Sequence, residues 1–413
     1  TGLDTQSANT AAQADLVAKV THAESVINGV ITTGNTAVQD NDGHGTNVAG
    51  IAVATANNGI GFAGVAGGVG LQVYRIFDAS GSTTTADEAQ AIYDAVSNGA
   101  KVINLSLGSC PGDGPDAVEK TAIDFALTSG VFIAAAAGNE RSQPLCGGGT
   151  QTAENLDFPA AYQGVMAVGA SALKNDDGIS PSTATEYVAS YSNSGPGLGV
   201  VAPGGDPSST SDPDLLHWIS NLYSTTATPP CSTPSNCYAL IAGTSQATPH
   251  VSGAAALLLS ANSALTPAQL YQTFTATADD LQDPNQGHGR LNVYRAMALV
   301  TGDPNPPAYT PGKMQLIAFA YSNSGATNAT PAIVNVTFTA GIPVNGDGTF
   351  RVADIPTTAS NYKIGVWFDA NGDGKVDAGD RFGASGPCVP TAPCTSAASI
   401  GVVPVTDASF ALP

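Results

Sequence analysis

The segment Gly243-Thr244-Ser245-Gln246-Ala247-Thr248-Pro249-His250-Val251-Ser252-Gly253 carries the most informative pattern in the chain. In it, a glycine turn and a serine precede an apolar, alanine-rich segment, Ala254 to Ser260. Glycine adopts backbone angles that other residues avoid, so the pattern predicts that Ser245 lies at the start of a helix. There, free N–H groups and the helix dipole favour negative charge, which suits a serine that attacks a carbonyl and holds the resulting oxyanion. An ordinary N-cap serine fits this segment equally well.

A second glycine-rich segment, Asp40-Asn41-Asp42-Gly43-His44-Gly45-Thr46-Asn47-Val48-Ala49-Gly50-Ile51-Ala52, surrounds a histidine with small residues. It leads into another apolar helical segment. In this setting a substrate and other backbone can approach His44 closely, and His44 would work as a base near neutral pH. The alternative for a single histidine is a helix-capping or surface role.

Between residues 71 and 202, apolar strands alternate with helices, which predicts a mostly parallel sheet covered by helices on both faces. The predicted strands are Leu71–Phe77, Lys101–Leu107, Val131–Ala137, Val165–Ala170 and Val200–Ala202. The predicted helices are Thr85–Asn98, Pro115–Thr128, the segment after Ser245, one that begins at Thr266-Pro267, and Val293–Val300. The polar stretch from Asp4 to about Gln39 is expected to be loop.

In parallel sheets, functional groups gather where strands end. Two strand ends carry suitable residues, Leu105–Ser109 and Ala136–Glu140. Asn139 follows a buried strand and could direct its side-chain amide at a developing oxyanion. The alternative for Asn139 is a turn residue, since Gly-Asn pairs are common in turns.

Length, charge and hydrophobicity indicate the number of domains and argue against two classes of protein, those that bind nucleic acid and those that span a membrane. The 413 residues predict two domains. Only 13 residues are Lys or Arg against 33 Asp or Glu, giving a net charge of −20. This balance argues against nucleic acid as a partner, because neutralising phosphates requires Lys and Arg. No run of about 20 apolar residues occurs, so no membrane span is expected.

The six cysteines predict three disulfides formed in an oxidising compartment. Cys231 and Cys237 are close in sequence, as are Cys388 and Cys394, which leaves Cys110 and Cys146 as the third pair. None has the CxxC spacing of a zinc site. The alternative is six free, partly buried thiols.

A proline- and glycine-rich stretch at residues 301–312 is typical of a linker between two domains, 1–300 and 313–413. Beyond it, short runs of Val, Ile, Phe and Thr are broken by Gly, Asn and Pro. This pattern predicts an all-β sandwich as the second, accessory domain.

Within the second domain, residues 369–380 follow the spacing of an EF-hand-like calcium loop. Gly374 occupies the position where such a loop turns sharply. The preceding alternation at Tyr362–Phe368 predicts a loop between strands, with calcium in a structural role. The alternative is an acidic turn without metal. The predicted calcium ligands are Asp369, Asn371, Asp373, the carbonyl of Lys375, Asp377 and Asp380.

The His44 and Ser245 segments, in that order on an alternating α/β chain, closely resemble the histidine and serine signatures of the subtilisin-like serine proteases, the subtilases. Further family segments are matched over roughly residues 1–300, but not in the second domain. These further matches are Ser106-Leu107-Gly108, Ala136-Ala137-Gly138-Asn139, Tyr191-Ser192-Asn193-Ser194-Gly195, Val201-Ala202-Pro203-Gly204 and Gly287-His288-Gly289-Arg290-Leu291-Asn292.

The resemblance implies a subtilisin-like three-layer fold and a secreted serine endopeptidase with a Ser-His-Asp triad. Ser245 would be the nucleophile and His44 the base, and Asn139 would belong to the oxyanion hole. Ser106, Leu107 and Gly108 would pair with extended substrate. The expected substrates are proteins or peptides, and the expected protein is an extracellular monomer, free or attached to a cell surface.

Two departures from the family pattern stand out. Asn47 replaces a second histidine that the family usually has. The family's aspartate comes just before Thr-Gly or Ser-Gly at the end of a central strand, and this chain starts at Thr1-Gly2. The acid is therefore expected directly upstream of Thr1, in a longer protein of which this chain is a fragment.

Two alternatives for the acid stay open. In the first, Asp4 has taken over its role, although it lies four positions after the expected site. In the second, the domain is a catalytically impaired protease fold. The chain would then be a peptide-binding module, or an adhesive protein in which the sandwich is the working part.

Overall fold

The computed structural model describes residues 2–110, 113–141, 155–174, 185–210, 217–227, 235 and 237–302, together with the strands at 315–322, 362–369, 381–384 and 403–404. The chain divides into two compact units. The larger comprises Thr1–Ala172 and Tyr187–Pro307, and the smaller Leu173–Glu186 and Ala308–Pro413. The predicted boundaries at 301–312 stay a prediction, since residues 303–312 lie outside the described part.

The helices and strands of the larger unit alternate as the sequence predicts. Among the described residues, helices α1 to α7 are Thr10–Asp15, His44–Val53, Thr85–Ser97, Ala117–Thr128, Thr244–Ala261, Pro267–Thr277 and Val293–Thr301. Strands β1 to β10 are Val20–Ile27, Val30–Thr33, Leu71–Arg75, Val102–Leu105, Phe132–Ala136, Met166–Lys174, Thr185–Val188, Leu198–Pro203, Ile219–Leu222 and Tyr238–Ile241.

The main sheet has the strand order β4-β5-β6-β7, with β8 paired to β6. Its pairs β4–β5, β5–β6 and β6–β8 are parallel. A second sheet has the order β2-β1-β3, in which β1 and β3 are parallel and β1 and β2 antiparallel. The predicted parallel strands are thus confirmed, but they form two sheets among the described residues rather than one.

Strand β5 shows why the core has helices on both faces. All five of its residues are buried, and successive side chains point to opposite faces of a strand. Ile133 and Ala135 pack in a cluster with α3 and α4, whereas Phe132 and Ala134 pack in a cluster with α5 and α6. The three-layer arrangement follows from this alternation.

The expectation of a loop up to about Gln39 is wrong, because this region contains α1, β1 and β2. Strand β1 has a polar sequence, yet it carries buried Glu24 and Ser25 and pairs with β3. Part of the free-energy cost of burying Glu24 is offset by a hydrogen bond between its Oε2 and His22 Nε2 at 3.1 Å. Buried polar residues break the apolar alternation that identifies a strand in sequence.

In the smaller unit, the described strands β11 to β14 form an antiparallel sheet in sequence order. Their bounds are Gln315–Ser322, Tyr362–Asp369, Arg381–Ala384 and Val403–Pro404. The strand predicted before the calcium loop is present, but residues 370–380 lie outside the described part, as does most of the predicted sandwich. Among the described residues, no helix is both long and apolar enough to cross a membrane.

Candidate active site

Ser245 is the second residue of α5, whose N-cap is Gly243. Its side chain is partly exposed, and its Oγ lies 3.4 Å from the carbonyl oxygen of Ser106. In return, Ser106 Oγ donates to the carbonyl oxygen of Ser245 at 2.7 Å. The predicted nucleophile and the predicted substrate-binding segment after β4 are therefore held together.

Asn139 lies at the same helix start. Its Oδ1 accepts hydrogen bonds from the backbone N–H of Thr244 at 2.9 Å and from Thr244 Oγ1 at 3.0 Å. These two bonds fix the carboxamide through its oxygen, so its Nδ2 group is the end that can donate to a ligand. The structure thus brings Asn139 next to Ser245, although the two are distant in sequence.

His44 is the first residue of α2, and its N-cap Gly43 has a left-handed conformation with φ of 102°. A Cβ at Gly43 would also lie 2.2 Å from Tyr223 Cε2, so glycine is required there. The carboxylate of Asp40 fixes this turn by accepting from the N–H of Gly43 at 2.9 Å and of Thr46 at 2.8 Å. The sequence therefore places His44 at a rigid helix start.

Helices α2 and α5 pack against each other, which brings the starts of both helices to one site. Gln246 Nε2 donates to Asn47 Oδ1 at 3.2 Å, within the first turn of each helix. Asn47 also donates from Nδ2 to the carbonyl oxygen of Leu222 at 3.2 Å. Asn47, which lies where the family resemblance predicts a second histidine, is therefore a buried link between the two helices.

Burial, followed by the positive charge of the chain's amino terminus, lowers the pKa of His44 to about 4, whereas the carboxylates of Asp42 and Asp40 act in the opposite direction. The imidazole is accordingly neutral at pH 7. A neutral imidazole is the form that accepts a proton from a nucleophile.

Asp4 is engaged in structural hydrogen bonds. Its Oδ2 accepts from the N–H of Thr225 at 2.7 Å and from Asn9 Nδ2 at 2.9 Å, and its Oδ1 accepts from the N–H of Gln6 at 3.0 Å. Burial acts to raise the pKa of Asp4, but these hydrogen bonds prevail and hold it below its ordinary value. Asp4 therefore ties the N-terminal segment to the loop at Thr225.

A cavity of about 780 Å³ lies between β3 and β4. His44 and the segment Ser106–Gly108 line it, and so does Gly2. In the described part of the chain, β3 pairs only with β1 and β4 only with β5, so the strand edges facing the cavity are unpaired. One cavity therefore joins two free sheet edges to the predicted base and the predicted substrate-binding residues.

Sequence reasoning missed a pair of carboxyl groups behind Asn139. Asn193 Nδ2 donates to Glu140 Oε2 at 2.7 Å and to Asp157 Oδ1 at 3.2 Å. Glu140 Oε2 also accepts from the backbone N–H of Asn139 at 2.8 Å. Burial, together with the neighbouring Glu140, raises the pKa of Asp157 to about 8. No local motif marks Asp157, although Asn193 belongs to one of the family-like segments.

The structure describes only some of the remaining predicted site residues. Leu107 packs against the core, and a Cβ at Gly108 would lie 3.0 Å from Asp157 Cβ. Their pairing with substrate stays a prediction. Cys110 and Cys237 are disulfide-bonded, but Cys146, Cys231, Cys388 and Cys394 lie outside the described residues, so the predicted pairing is untested. Of the predicted calcium ligands, only Asp369 lies on a described strand.

The fold and site have known counterparts. Residues 2–291 match the model of the Subtilase family. Subtilisin Savinase of Lederbergia lenta is 36% identical over 264 residues, which cover 64% of this chain and 80% of that protein. Alkaline elastase YaB of Bacillus sp. (strain YaB) is 35% identical over 260 residues, 63% of this chain and 56% of that longer protein.

Two solved structures have the same fold. A protease from Pseudoalteromonas arctica PAMC 21717 superimposes with a TM-score of 0.55 at 26% identity, covering 73% of this chain and 88% of that one. Sphericase gives a TM-score of 0.54 at 27% identity, covering 71% of this chain and 89% of its own.

Proposed function

The chain belongs to the subtilase family, and we propose that it is a serine endopeptidase that hydrolyses peptide bonds in proteins or peptides through an acyl-enzyme on Ser245. The observation that carries this proposal is the meeting of Ser245 and Asn139 at the start of α5. His44 begins the helix packed against α5 and lines the cavity shared with Ser106.

In the proposed reaction, Ser245 Oγ attacks the scissile carbonyl carbon while His44 accepts the hydroxyl proton. The carbonyl oxygen becomes an oxyanion that receives hydrogen bonds from Asn139 Nδ2 and the backbone N–H of Ser245. His44 then gives the proton to the leaving amine. Water repeats the cycle on the acyl-enzyme and releases the second product. The neutral state of His44 at pH 7 is consistent with its role as the base.

We further propose that the third triad residue is an aspartate delivered by an additional parallel strand that occupies the cavity and continues into Gly2. Three features support this. Among the described residues the facing edges of β3 and β4 are unpaired, Gly2 and His44 line the same cavity, and helices α2, α3 and α5 cover its faces. A strand buried on both faces would be apolar throughout, and its last residue would reach the level of His44.

The experiment extends the chain at Thr1 by a designed apolar strand that ends in aspartate. The matched control is the same extension ending in asparagine. Labelling of Ser245 by a fluorophosphonate probe and hydrolysis of a peptide substrate are measured for both, with Ser245→Ala as the blank. We expect the asparagine form to turn over about 10⁴-fold more slowly. Absence of label in the aspartate form would refute the peptidase assignment and favour a peptide-binding or adhesive role.

We also propose that the protein is extracellular, carries three disulfides and binds structural calcium at residues 369–380. The calcium site is supported by the ligand spacing and by the register of the flanking strands. Phe368 pairs with Arg381, the residues immediately outside the first and last loop positions. The loop termini are therefore brought together, as a calcium loop requires.

A further inference from the structure

Three polar side chains meet over Gly138, the residue before Asn139. A Cβ at Gly138 would lie 2.2 Å from Asn193 Nδ2. It would also lie 2.6 Å from Asp157 Oδ1 and 2.6 Å from Glu140 Oε2. Gly138 has φ of 111°, a backbone conformation that residues with a side chain rarely adopt. The glycine therefore leaves room for two carboxyl groups and a carboxamide beside the proposed oxyanion donor.

Glu140 Oε2 is the acceptor that joins this cluster to Asn139. It accepts from the backbone N–H of Asn139 at 2.8 Å and from Asn193 Nδ2 at 2.7 Å. Asp157, which is only 7% exposed, forms a further side-chain hydrogen bond with Glu140. Ionised carboxylates are acceptors only, so this bond requires a proton, which the more buried Asp157 retains. Asp157 and Asn193 thus hold Glu140, and Glu140 holds Asn139.

The backbone fixes the partners of Glu140 in place. Asn193 donates its N–H to the carbonyl oxygen of Gly138 at 3.0 Å, and Asp157 donates its N–H to that of Ala137 at 2.9 Å. The backbone N–H of Glu140 donates to Asn193 Oδ1 at 2.9 Å. The side chain of Asp157 is therefore anchored at its base, whereas that of Glu140 is partly exposed and has a path towards water.

We propose that Asp157 is a positioning residue for the oxyanion hole: its carboxyl proton keeps Glu140 bonded to the backbone N–H of Asn139, and loss of that proton releases Asn139. Once Asp157 is ionised, two carboxylates face each other in a buried setting, where their repulsion is strong. Glu140 then turns towards water, and the donor group of Asn139 is less well oriented. This inference rests on the proposed peptidase function, since it concerns the same oxyanion donor.

The ionisation of Asp157 sets the pH range of this effect. Burial, followed by the charge of Glu140 and the hydrogen bond with it, raises the pKa of Asp157 to about 8. The proton is therefore present at pH 7 and largely absent at pH 9. Because the proton holds the arrangement together, kcat is expected to fall as pH rises through about 8.

Few other groups near the cluster change their charge in this range. On the described segments that form it, residues 106–109, 137–141, 155–162 and 189–197, the other charged or titratable side chains are Arg141, Tyr162 and Tyr191. Arginine stays protonated. Burial raises the pKa of both tyrosines above its ordinary value, so they stay neutral up to about pH 10.

The test measures kcat and KM for one peptide from pH 6 to 10 in the aspartate-extended protein. We expect kcat to fall about tenfold between pH 7 and pH 10, less than the loss of a whole donor, while KM stays constant. The fall should vanish in Asp157→Asn, whose amide donates to Glu140 at every pH. It should persist in Glu24→Gln, the matched control, because Glu24 is a buried carboxylic acid with a raised pKa on the other sheet.

Two kinetic results would overturn the inference. One is a kcat that stays level above pH 8 in the aspartate-extended protein. The other is a fall in kcat that survives in Asp157→Asn, since the titrating group would then lie elsewhere. Thermal unfolding of each protein at pH 7 and pH 10 confirms that the folded form is being compared.

A second measurement is independent of catalysis. In the chain labelled with nitrogen-15 asparagine, the backbone amide signal of Asn139 is the one missing from Asn139→Ala. Because this amide donates to Glu140, its chemical shift should titrate with a midpoint near pH 8, and it should not in Asp157→Asn. If Ser245 is not labelled by the fluorophosphonate probe, the peptidase proposal fails, yet a titrating amide would still support the coupling of Asp157 to Asn139. An amide that does not titrate would refute it.

Discussion

The side chain of Asn139, which we propose as an oxyanion donor, is held in place by its neighbours. Thr244 holds its oxygen through two hydrogen bonds, and Glu140 accepts from its backbone N–H. The adjacent Gly138 has φ of 111°, and a Cβ there would lie 2.2 Å from Asn193 Nδ2. The amide is thus oriented before substrate arrives, which is what makes an oxyanion donor effective.

Replacing Asn139 with alanine should reduce kcat by about 10² to 10³, the range typical of losing one oxyanion-hole donor. KM should change little, because the bond forms mainly in the transition state. Steady-state kinetics of Asn139→Ala, beside an unfolding curve to confirm that the fold is intact, test this. An unchanged kcat would remove Asn139 from the oxyanion hole.

Glu88 should make stability depend on pH. Its pKa is raised from an ordinary 4.5 to about 8 on folding, so the folded protein binds the proton more tightly than the unfolded chain. Stability therefore falls as pH rises from about 4.5 to about 8, and the full penalty is present above that. Glu88→Gln should raise the Tm at pH 9 by at least about 2 °C and by less at pH 5. An equal change at both pH values would show that the charge of Glu88 has no part in it.

Ser245, His44 and Asn139 could be proposed from sequence because each lies in a local motif, and the structure places each of them at or beside the start of a helix. Glu88 and Asp157 could not. Their environments are created by contacts between elements far apart in the chain, such as Asp157 beside Glu140 and Gly108. Composition and spacing carry no signal for such contacts.

At the scale of elements, the packing of α2 against α5 sets the distance between the proposed base, His44, and the proposed nucleophile, Ser245. A Cβ at Gly253 in α5 would lie 2.7 Å from the carbonyl oxygen of Ala52 in α2 and 2.7 Å from Val65 Cβ. The absence of a side chain at Gly253 therefore permits the close approach of the two helices. Both neighbouring atoms belong to parts that cannot easily shift.

Gly253→Ala should destabilise the fold by about 1–3 kcal/mol, as expected for overpacking. It should also lower kcat, because α2 and α5 would be pushed apart. Gly68→Ala is the matched control, since a Cβ at Gly68 would meet nothing within 4 Å. Urea unfolding and peptide hydrolysis of both variants test this. Equal stability of the two would show that the helices tolerate the added methyl group.

Elements with continuous apolar sequence are predictable from their own residues. Strand β5 is expected at Val131–Ala137 and is Phe132–Ala136, and α6 begins at Pro267 with the predicted Thr266 cap. Strand β1 could not be predicted from its sequence, because the polar residues Glu24 and Ser25 are buried in it and interrupt the apolar pattern. Its pairing with β3 and a contact with His22 make this burial tolerable, and neither is visible in a local pattern.

At the scale of the whole molecule, the match to the Subtilase family model ends at residue 291, so the family assignment does not extend to residues 308–413 of the smaller unit. Its described strands form an antiparallel sheet, and the predicted calcium loop connects the second and third of them. With a net charge of −20, the chain offers many carboxylates to cations. What distinguishes a specific calcium site from the other carboxylates of the chain is the spacing of its ligands.

Calcium should raise the Tm of the unfolding transition that belongs to residues 313–413, because binding to the folded form alone stabilises it. Calorimetry of the full chain after chelation, with calcium or magnesium added back, measures this. The paired Asp373→Asn and Asp377→Asn variant should lose the response to calcium. No shift in the unaltered chain would argue against the site.

In the part of the chain that the structure describes, the edges of β3 and β4 that face the cavity have no partner strand, and this bears on solubility. Inner strands normally have neighbours on both sides, whereas exposed edges are protected by devices such as charge or proline. Strand β4, Val102–Leu105, contains neither a charged residue nor a proline. A chain whose cavity is unfilled would therefore offer a template for intermolecular β-pairing, and its aggregation during refolding should increase with concentration. The strand that we propose would then also protect the chain from association with other copies of itself.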